Sequence, residues 1–298
     1  MKRIINITQL LIIGMLFGNS CTEPITLETD DASPVIVIYG VLTDDYKKQE
    51  VKISRSSPYF DDVPNQGVSE ANVVVRTSDN LFYRFLEDDS IKGRYFSESE
   101  FSVRAGIDYM LTIDVDFDKD GIPDKYEATT TALPSPQIDS LSFESIDLFR
   151  YKNHILYIYM QDFPEKNNYL FNIFRNDSLL TGKLTDFVVT NDDLFNGQYI
   201  KGDIYLFDDV ANLSQGGNRD EENRRIYLRD GDAVKVELGQ IPEGYYHFIL
   251  QCRKEKNGEN PMFGGPSSNI VTNISNGGVG YFSTYTISRN AIVFEMRE

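Results

Sequence analysis

Short apolar runs, each the length of a β-strand and roughly ten residues from the next, fill the chain from Pro34 to Ala132. Val35–Leu42 is a continuous run of β-branched and aromatic residues, whereas Tyr109–Val115 alternates between apolar and polar positions. A period of two places every second side chain on the same face of a strand. The repeated runs predict an all-β fold, with an immunoglobulin- or transthyretin-like sandwich over residues 34–133.

A proline pair ends this pattern. Pro134 and Pro136 stand in the sequence Leu133-Pro134-Ser135-Pro136, which does not suit a central strand and is typical of a stiff linker. The sequence therefore predicts a domain boundary there, followed by a second β-rich domain over residues 138–298. One segment of it, Pro242–Cys252, fits either a strand or a short helix with Tyr246, Ile249 and Leu250 on one face.

The first twenty residues have the layout of a secretory signal peptide. Lys2 and Arg3 precede an apolar stretch, Ile4–Phe17, which is shorter than the roughly 20 apolar residues of a membrane-spanning helix. Cys21 follows directly, as in a bacterial lipobox, although Gly18 stands where that signal usually has leucine. We expect cleavage after residue 20 and acylation of Cys21, since two or three acyl chains hold a membrane stably. The alternative is an ordinary signal peptide with a chance cysteine.

Residues 21–33 are acidic and lack periodicity, so they are predicted to form a tether between the lipid anchor and the first domain. The formal net charge of the whole chain is −17, which excludes non-specific binding to nucleic acid. The predicted location is the outer membrane, on either its periplasmic or its surface face, with the surface favoured.

Catalytic signatures are missing from the sequence. Its two histidines, His154 and His247, each lie beside an apolar pattern, where a lone histidine is more often structural than catalytic. The sequence has no His/Cys cluster with zinc spacing and no Gly-x-Ser-x-Gly elbow. We therefore predict that the protein is not an enzyme.

The most specific local motif is an acidic segment over residues 116–127. Carboxylates occupy positions 1, 3, 5, 9 and 12 of this segment and glycine occupies position 6, which is the ligand spacing of a calcium-binding loop. The predicted calcium ligands are Asp116, Asp118, Asp120, Asp124 and Glu127. The alternative is a plain β-hairpin that turns at Asp120-Gly121 with a solvated acidic rim.

A glycine-rich segment near the C-terminus is the second local candidate. It is either a ligand-binding loop or a tight turn that packs aromatic side chains into a core, and the packing role is preferred. The residues concerned are Asn276, Gly277, Gly278, Tyr281 and Phe282.

The C-terminal motifs resemble those of a lipoprotein family described as domain of unknown function 4249. They are Tyr245-Tyr246, the run Asn260–Pro266, Ser268-Asn269-Ile270 and the run Thr272–Phe282. The resemblance also covers the strands Val37–Thr43 and Ile53–Ser56 and extends over nearly all of the mature chain. It implies an outer-membrane lipoprotein encoded beside TonB-dependent transporters of the starch-utilisation type. It implies no catalytic residue, and it does not imply calcium, because the acidic segment looks longer than the family's usual turn.

Together these features predict a non-catalytic lipoprotein accessory to a TonB-dependent β-barrel transporter, in ligand capture or in complex assembly. The first alternative is a surface adhesion or structural module stiffened by calcium. The second is a hydrolase of the cell envelope.

Overall fold

A computed structural model describes residues 34–56, 65–148, 151–184, 186–209, 226–257 and 270–296. They belong to one compact unit, Pro34–Glu298. Its first strands are β1 Ile36–Thr43, β2 Glu50–Arg55, β3 Gln66–Gly67, β4 Asn72–Thr77, β5 Phe82–Glu87, β6 Arg94–Ser97, β7 Asp108–Val115 and β8 Asp124–Thr131. The later elements are β9 Ile138–Leu148, β10 Tyr151–Gln161, β11 Asn168–Arg175, β12 Ser178–Leu179, β13 Val188–Asn191, β14 Tyr199–Asp209, β15 Tyr227–Leu228, β16 Ala233–Gln240, helix α1 Glu243–Asn257, β17 Val279–Tyr285 and β18 Ile287–Val293. The predicted all-β class is confirmed.

The N-terminal sheet has the strand order β17-β1-β2-β6-β5-β4-β7-β8, with β3 paired to β2. Its neighbours run antiparallel except for β1 and β17, which are parallel. The alternation of the sequence sets its core, because every second residue of a strand faces inward. On β7, for example, the inward residues Tyr109, Leu111, Ile113 and Val115 are all buried.

The two ends of this sheet come together at the segment that precedes β17. The N–H of Ser275 donates to the carbonyl of Glu127 on β8 at 2.8 Å, and the N–H of Glu127 donates to Ser275 Oγ at 2.7 Å. Asn273 fixes the same segment to β17, since its side chain exchanges two hydrogen bonds with the backbone of Phe282. The segment therefore covers the edge of β8 that an open sheet would leave exposed.

The C-terminal part contains two further sheets. One has the order β15-β14-β10-β9, and the other has the order β12-β11-β16-β18 with β13 paired to β11. They share a single core, in which Leu156 and Ile158 of β10 lie in one apolar cluster with Val234 and Val236 of β16. Two sheets packed face to face over one core form a sandwich.

Helix α1 resolves the ambiguous segment as a helix. The N–H groups of Tyr245 and Tyr246 both donate to the carbonyl of Pro242, where the chain turns into the helix. Its buried side chains are Tyr245, Phe248 and Ile249, whereas Tyr246 and Leu250 of the predicted face are only partly buried. In the described residues, no helix is long and apolar enough to cross a membrane.

One strand crosses the predicted domain boundary. Strand β17 comes from the predicted C-terminal domain, yet it is a strand of the N-terminal sheet. The physical reason is that Phe282 belongs to the apolar core of that sheet, while its neighbour Tyr281 faces the cluster around α1. Successive side chains of a strand point to opposite faces, so β17 joins two cores.

Candidate functional site

The acidic segment forms the turn between β7 and β8. The structure brings Asp116, Asp118 and Asp120 together, with one carboxylate oxygen of each within 4.8 Å of the others. All three side chains are exposed. Three converging carboxylates at the tip of a hairpin suit a hard cation such as calcium, which takes oxygen ligands.

Local hydrogen bonds explain why the side chains converge. The N–H of Asp120 donates to Asp118 Oδ1 at 3.1 Å, and the N–H of Gly121 donates to Asp116 Oδ2 at 3.0 Å. Lys119 and Gly121 both adopt positive φ, 64° and 87°, which tightens the turn. The bond to Asp118 is of the kind that aspartate commonly makes to the backbone two residues on, and the bond to Asp116 closes the turn over five residues.

The structure does not bring the other two predicted ligands into this cluster. Asp124 pairs with Val115 at the start of β8, and Glu127 lies further along that strand. The carboxylate of Glu127 forms an ion pair with Lys125 at 2.6 Å. The spacing template assumes a helix after the loop, which would carry position 12 back to the ion, whereas an extended strand carries it away.

A cavity of about 680 Å³ lies beside the acidic turn. The guanidinium of Arg55 lies over the ring of Phe117, 4.0 Å from its centroid, and donates to the carbonyl of that residue. Lys92 and Lys119 add positive charge to the lining, while Glu70, Asp114 and Asp116 add negative charge. A cavity of mixed charge that shares Asp116 with the acidic turn can hold a polar ligand.

The glycine-rich segment packs against the sheets. Asn276 and Gly277 turn the chain with φ of 55° and 73°. A Cβ at Gly278 would lie 2.7 Å from Ile274 Cγ2, so the packing around this position leaves no room for a side chain. Tyr281 is 6% exposed and Phe282 is fully buried, an arrangement that suits the packing role rather than ligand contact.

A line of three polar side chains crosses the C-terminal sheet and was not predicted from the sequence. His154 on β10 lies 2.9 Å through Nε2 from Asp209 Oδ2 and 3.0 Å through Nδ1 from Ser145 Oγ. Burial lowers the pKa of His154, and the hydrogen bond to Asp209 opposes that shift. A neutral imidazole donates from Nε2 to the carboxylate and accepts the serine proton at Nδ1, which leaves the serine hydroxyl polarised. The only sequence signal was His154 itself in an apolar strand, a pattern equally typical of a core histidine.

The predicted lipidation site, Cys21, lies outside the described residues, as do residues 1–33 as a whole. The family model described as domain of unknown function (DUF4249) matches residues 22–291. This match confirms the family that the residues predicted. No curated protein matches the chain.

Proposed function

We infer that this chain, which belongs to the family described as domain of unknown function (DUF4249), is a non-catalytic lipoprotein of the outer membrane. It serves a TonB-dependent β-barrel transporter as an accessory subunit, in ligand capture or in assembly of the complex. The predicted signal peptide, the predicted lipidation of Cys21 and the acidic composition of residues 21–33 support the membrane anchor.

A row of exposed side chains on the N-terminal sheet is the observation that supports a protein partner. Phe82 on β5 is 72% exposed and lies opposite Arg76 on β4, which in turn lies opposite Met110 on β7. Large apolar side chains that face water on one face of a sheet are typical of an interaction surface. Aromatic residues, methionine and arginine are also the types enriched at protein interfaces.

The row continues along the same face of β5. Leu86 is 50% exposed and lies opposite Phe96 on β6, over whose ring the guanidinium of Arg94 is placed at 5.2 Å. Phe82 and Leu86 are four residues apart and therefore point the same way. We call Phe82, Leu86, Phe96 and Met110 the outer-face patch. It offers a docking surface on the sheet that follows the predicted tether.

Affinity purification of the native lipoprotein from detergent, with mass spectrometry of its partners, tests this function. We expect a large β-barrel to co-purify with the wild-type protein. The double variant Phe82→Glu/Met110→Glu should lose the barrel, because two charges on the outer-face patch oppose desolvation of the interface. The matched control is Leu194→Glu, since Leu194 is 92% exposed and lies in the C-terminal part. Recovery of the wild-type protein as a clean monomer would contradict the proposal.

The convergence of Asp116, Asp118 and Asp120 favours a second candidate, a surface adhesion or structural module stiffened by calcium. Calcium would relieve the mutual repulsion of three carboxylates and hold the hairpin rigid. We expect calorimetry to detect calcium binding that Asp118→Ala/Asp120→Ala weakens. The absence of heat from the wild-type protein would remove the calcium element of this candidate.

The line from Ser145 through His154 to Asp209 favours the third candidate, an envelope hydrolase. Asp209 contacts Nε2 and Ser145 contacts Nδ1, the reverse of the nitrogen roles in serine proteases. A fluorophosphonate probe tests this candidate, because it labels serines that a base activates. The accessory function predicts no labelling, whereas labelling that Ser145→Ala abolishes would establish a nucleophile.

A further inference from the structure

A cavity of about 280 Å³ lies in the C-terminal sandwich and is lined by residues of both of its sheets. Arg175, at the end of β11, belongs to one sheet, and Tyr227 of β15 belongs to the other. Leu180 and Ile226, which pack against the apolar core of the sandwich, give the cavity an apolar wall. Ligand cavities in proteins usually measure about 300–1,000 Å³, so this cavity suits a small ligand.

Two arginines line this cavity. The side chain of Arg175 is half-buried, and its guanidinium donates to the carbonyl of Tyr227 on the other sheet. That bond uses one of the five N–H donors of a guanidinium. Arg229, in the turn between β15 and β16, is exposed, and its side chain forms no hydrogen bond or ion pair with the described residues. The cavity is therefore lined by two cationic groups whose donors are mostly unused.

One carboxylate, that of Asp232, is present among the described residues that line the cavity. Its Oδ1 accepts from Asn176 Nδ2 at 2.7 Å and its Oδ2 accepts from the N–H of Arg229 at 2.9 Å, so each oxygen already has a neutral donor. Neither lining guanidinium forms an ion pair with a carboxylate in the described part of the chain, where the arginines that do so are Arg94, Arg104 and Arg289. Two positive charges and one negative charge leave the cavity with an excess of positive charge.

The two turns that carry these arginines are fixed to each other. Asn176 has a positive φ of 47°, and its backbone N–H donates to the carbonyl of Ala233 at 2.9 Å. The N–H of Ala233 donates back to Asn176 Oδ1 at 2.9 Å, next to the bond between Asn176 and Asp232. The backbone positions of Arg175 and Arg229 are therefore set before a ligand arrives, which lowers the cost of binding.

We propose that this cavity binds a small organic anion. Its carboxylate or phosphate group is held by Arg175 and Arg229, and its apolar body lies against Leu180 and Ile226. Guanidinium groups bind both kinds of oxyanion through paired, charge-assisted hydrogen bonds. The anion supplies the negative charge that the lining residues lack. This site goes beyond the accessory function and does not depend on it or on the outer-face patch.

Calorimetry at constant ionic strength tests the site, because a fixed salt concentration keeps the screening of charge the same in every titration. The protein is the mature chain with Cys21→Ser, which removes the predicted lipidation site and the need for detergent. The probes are benzoate and phenyl phosphate, which carry the two oxyanions on the same ring, and neutral benzyl alcohol. We expect at least one anion to bind with a millimolar or lower dissociation constant and the alcohol not to bind. The anion that binds more tightly identifies the oxyanion that the cavity prefers.

Arg229→Gln should weaken anion binding at least about fivefold, because it removes a charge and its hydrogen bonds to the oxyanion. The matched control is Arg84→Gln, which removes the same charge from an exposed arginine of β5 that forms no ion pair among the described residues. Arg175→Lys keeps the charge but loses the planar fork, so it should also weaken binding. Circular dichroism checks that each variant is folded, since Arg175 also contacts Tyr227.

Two results would overturn the proposal outright: binding of neither anion at tens of millimolar, or benzyl alcohol binding as tightly as the anions. In the second case the cavity would recognise the ring and not the charge. Equal weakening by Arg84→Gln and Arg229→Gln would also overturn it, because general attraction to the protein would then explain the binding. The titrations contain no transporter, so their outcome is independent of the purification that tests the accessory function.

Discussion

The N-terminal sheet and the C-terminal sandwich place their ionisable side chains differently. Among the described residues from the start of β1 to the end of β8, the buried polar side chains are neutral: Thr43, Gln49, Thr77, Ser97 and Thr130. The C-terminal sandwich buries one histidine and four aspartates: His154, Asp162, Asp192, Asp209 and Asp232. The acidic turn of the N-terminal sheet keeps its carboxylates in solvent. The stability of the N-terminal sheet should therefore depend mainly on how well its apolar side chains pack. The stability of the C-terminal sandwich should depend also on the ionisation of its buried side chains.

The largest effect should come from a cavity in the N-terminal core. Phe282 is fully buried, and its ring lies against Gly40, where a Cβ would be 3.2 Å from Phe282 Cδ2. Phe282→Ala should lower the free energy of unfolding by about 3–5 kcal/mol, because it removes apolar contacts and leaves a void. Urea denaturation at pH 7.5 and pH 5.5 measures this loss, which should be equal at the two values. Phe82→Ala is the control, since Phe82 is exposed and should change stability by less than about 0.5 kcal/mol.

A backbone collision should give the next largest effect. Gly280 has φ of 109°, and a Cβ there would lie 2.0 Å from the carbonyl oxygen of Ile38 on β1. Gly280→Ala should destabilise the protein by about 2 kcal/mol or more, because it strains the backbone and separates β17 from β1. The control is Gly106→Ala, which has a similar positive φ of 79° but no atom within 4 Å of its Cβ. If the two variants lost equal amounts of unfolding free energy, the positive φ alone would explain the cost. The contact between a Cβ at position 280 and Ile38 would then be relieved by a shift of β17.

Protonation of His154 should make the stability of the C-terminal sandwich depend on pH, in contrast to that of the N-terminal core. Burial holds the pKa of His154 below its usual value of about 6.5, so the unfolded chain takes up a proton first as the pH falls. The contribution of His154 is therefore fully present above about pH 6.5 and is lost as the pH falls from there towards the lower folded-state pKa. We expect stability to drop by on the order of 1 kcal/mol between pH 7.5 and pH 5.5, a range above most carboxyl titrations.

The variant His154→Asn should remove this dependence on pH, although it lowers stability at both values by breaking the bond to Asp209. His247→Asn is the matched control, because His247 lies on the exposed side of α1. A pH dependence that persists unchanged in His154→Asn would assign it to other groups. The contrast between the two regions would then lose its main support.

The sequence predicted those features that depend on neighbouring residues. Alternating patterns identified the strands, and the spacing of Asp116, Asp118 and Asp120 anticipated their convergence, because both arise from local backbone geometry. The same spacing also named Glu127 as a ligand, although Glu127 lies on strand β8, which carries it away from the three aspartates. The pairing of β17 with β1 joins residues more than 200 positions apart and leaves no local trace.

Buried ionisable groups were the hardest features to predict. The chain has 46 acidic residues, so Asp192 was indistinguishable from a surface carboxylate until the fold buried it beside Asn167. His154 stood in an apolar strand, but its partner Asp209 is on another strand of the sheet. Single-sequence patterns report which face of a strand is buried and carry little information about which polar groups share that face.

The smallest effect should come from the acidic turn in the absence of calcium. Asp118→Ala/Asp120→Ala removes two exposed local hydrogen bonds, to the N–H groups of Asp120 and Ile122. It also relieves the repulsion among three carboxylates within 4.8 Å of one another. These terms oppose each other, so the free energy of unfolding in chelator should change by less than about 0.5 kcal/mol. A loss of 2 kcal/mol or more in urea denaturation would make the turn a stability element of the N-terminal sheet. Charge would then matter in both regions, and the difference between them would lie only in whether the carboxylates are buried.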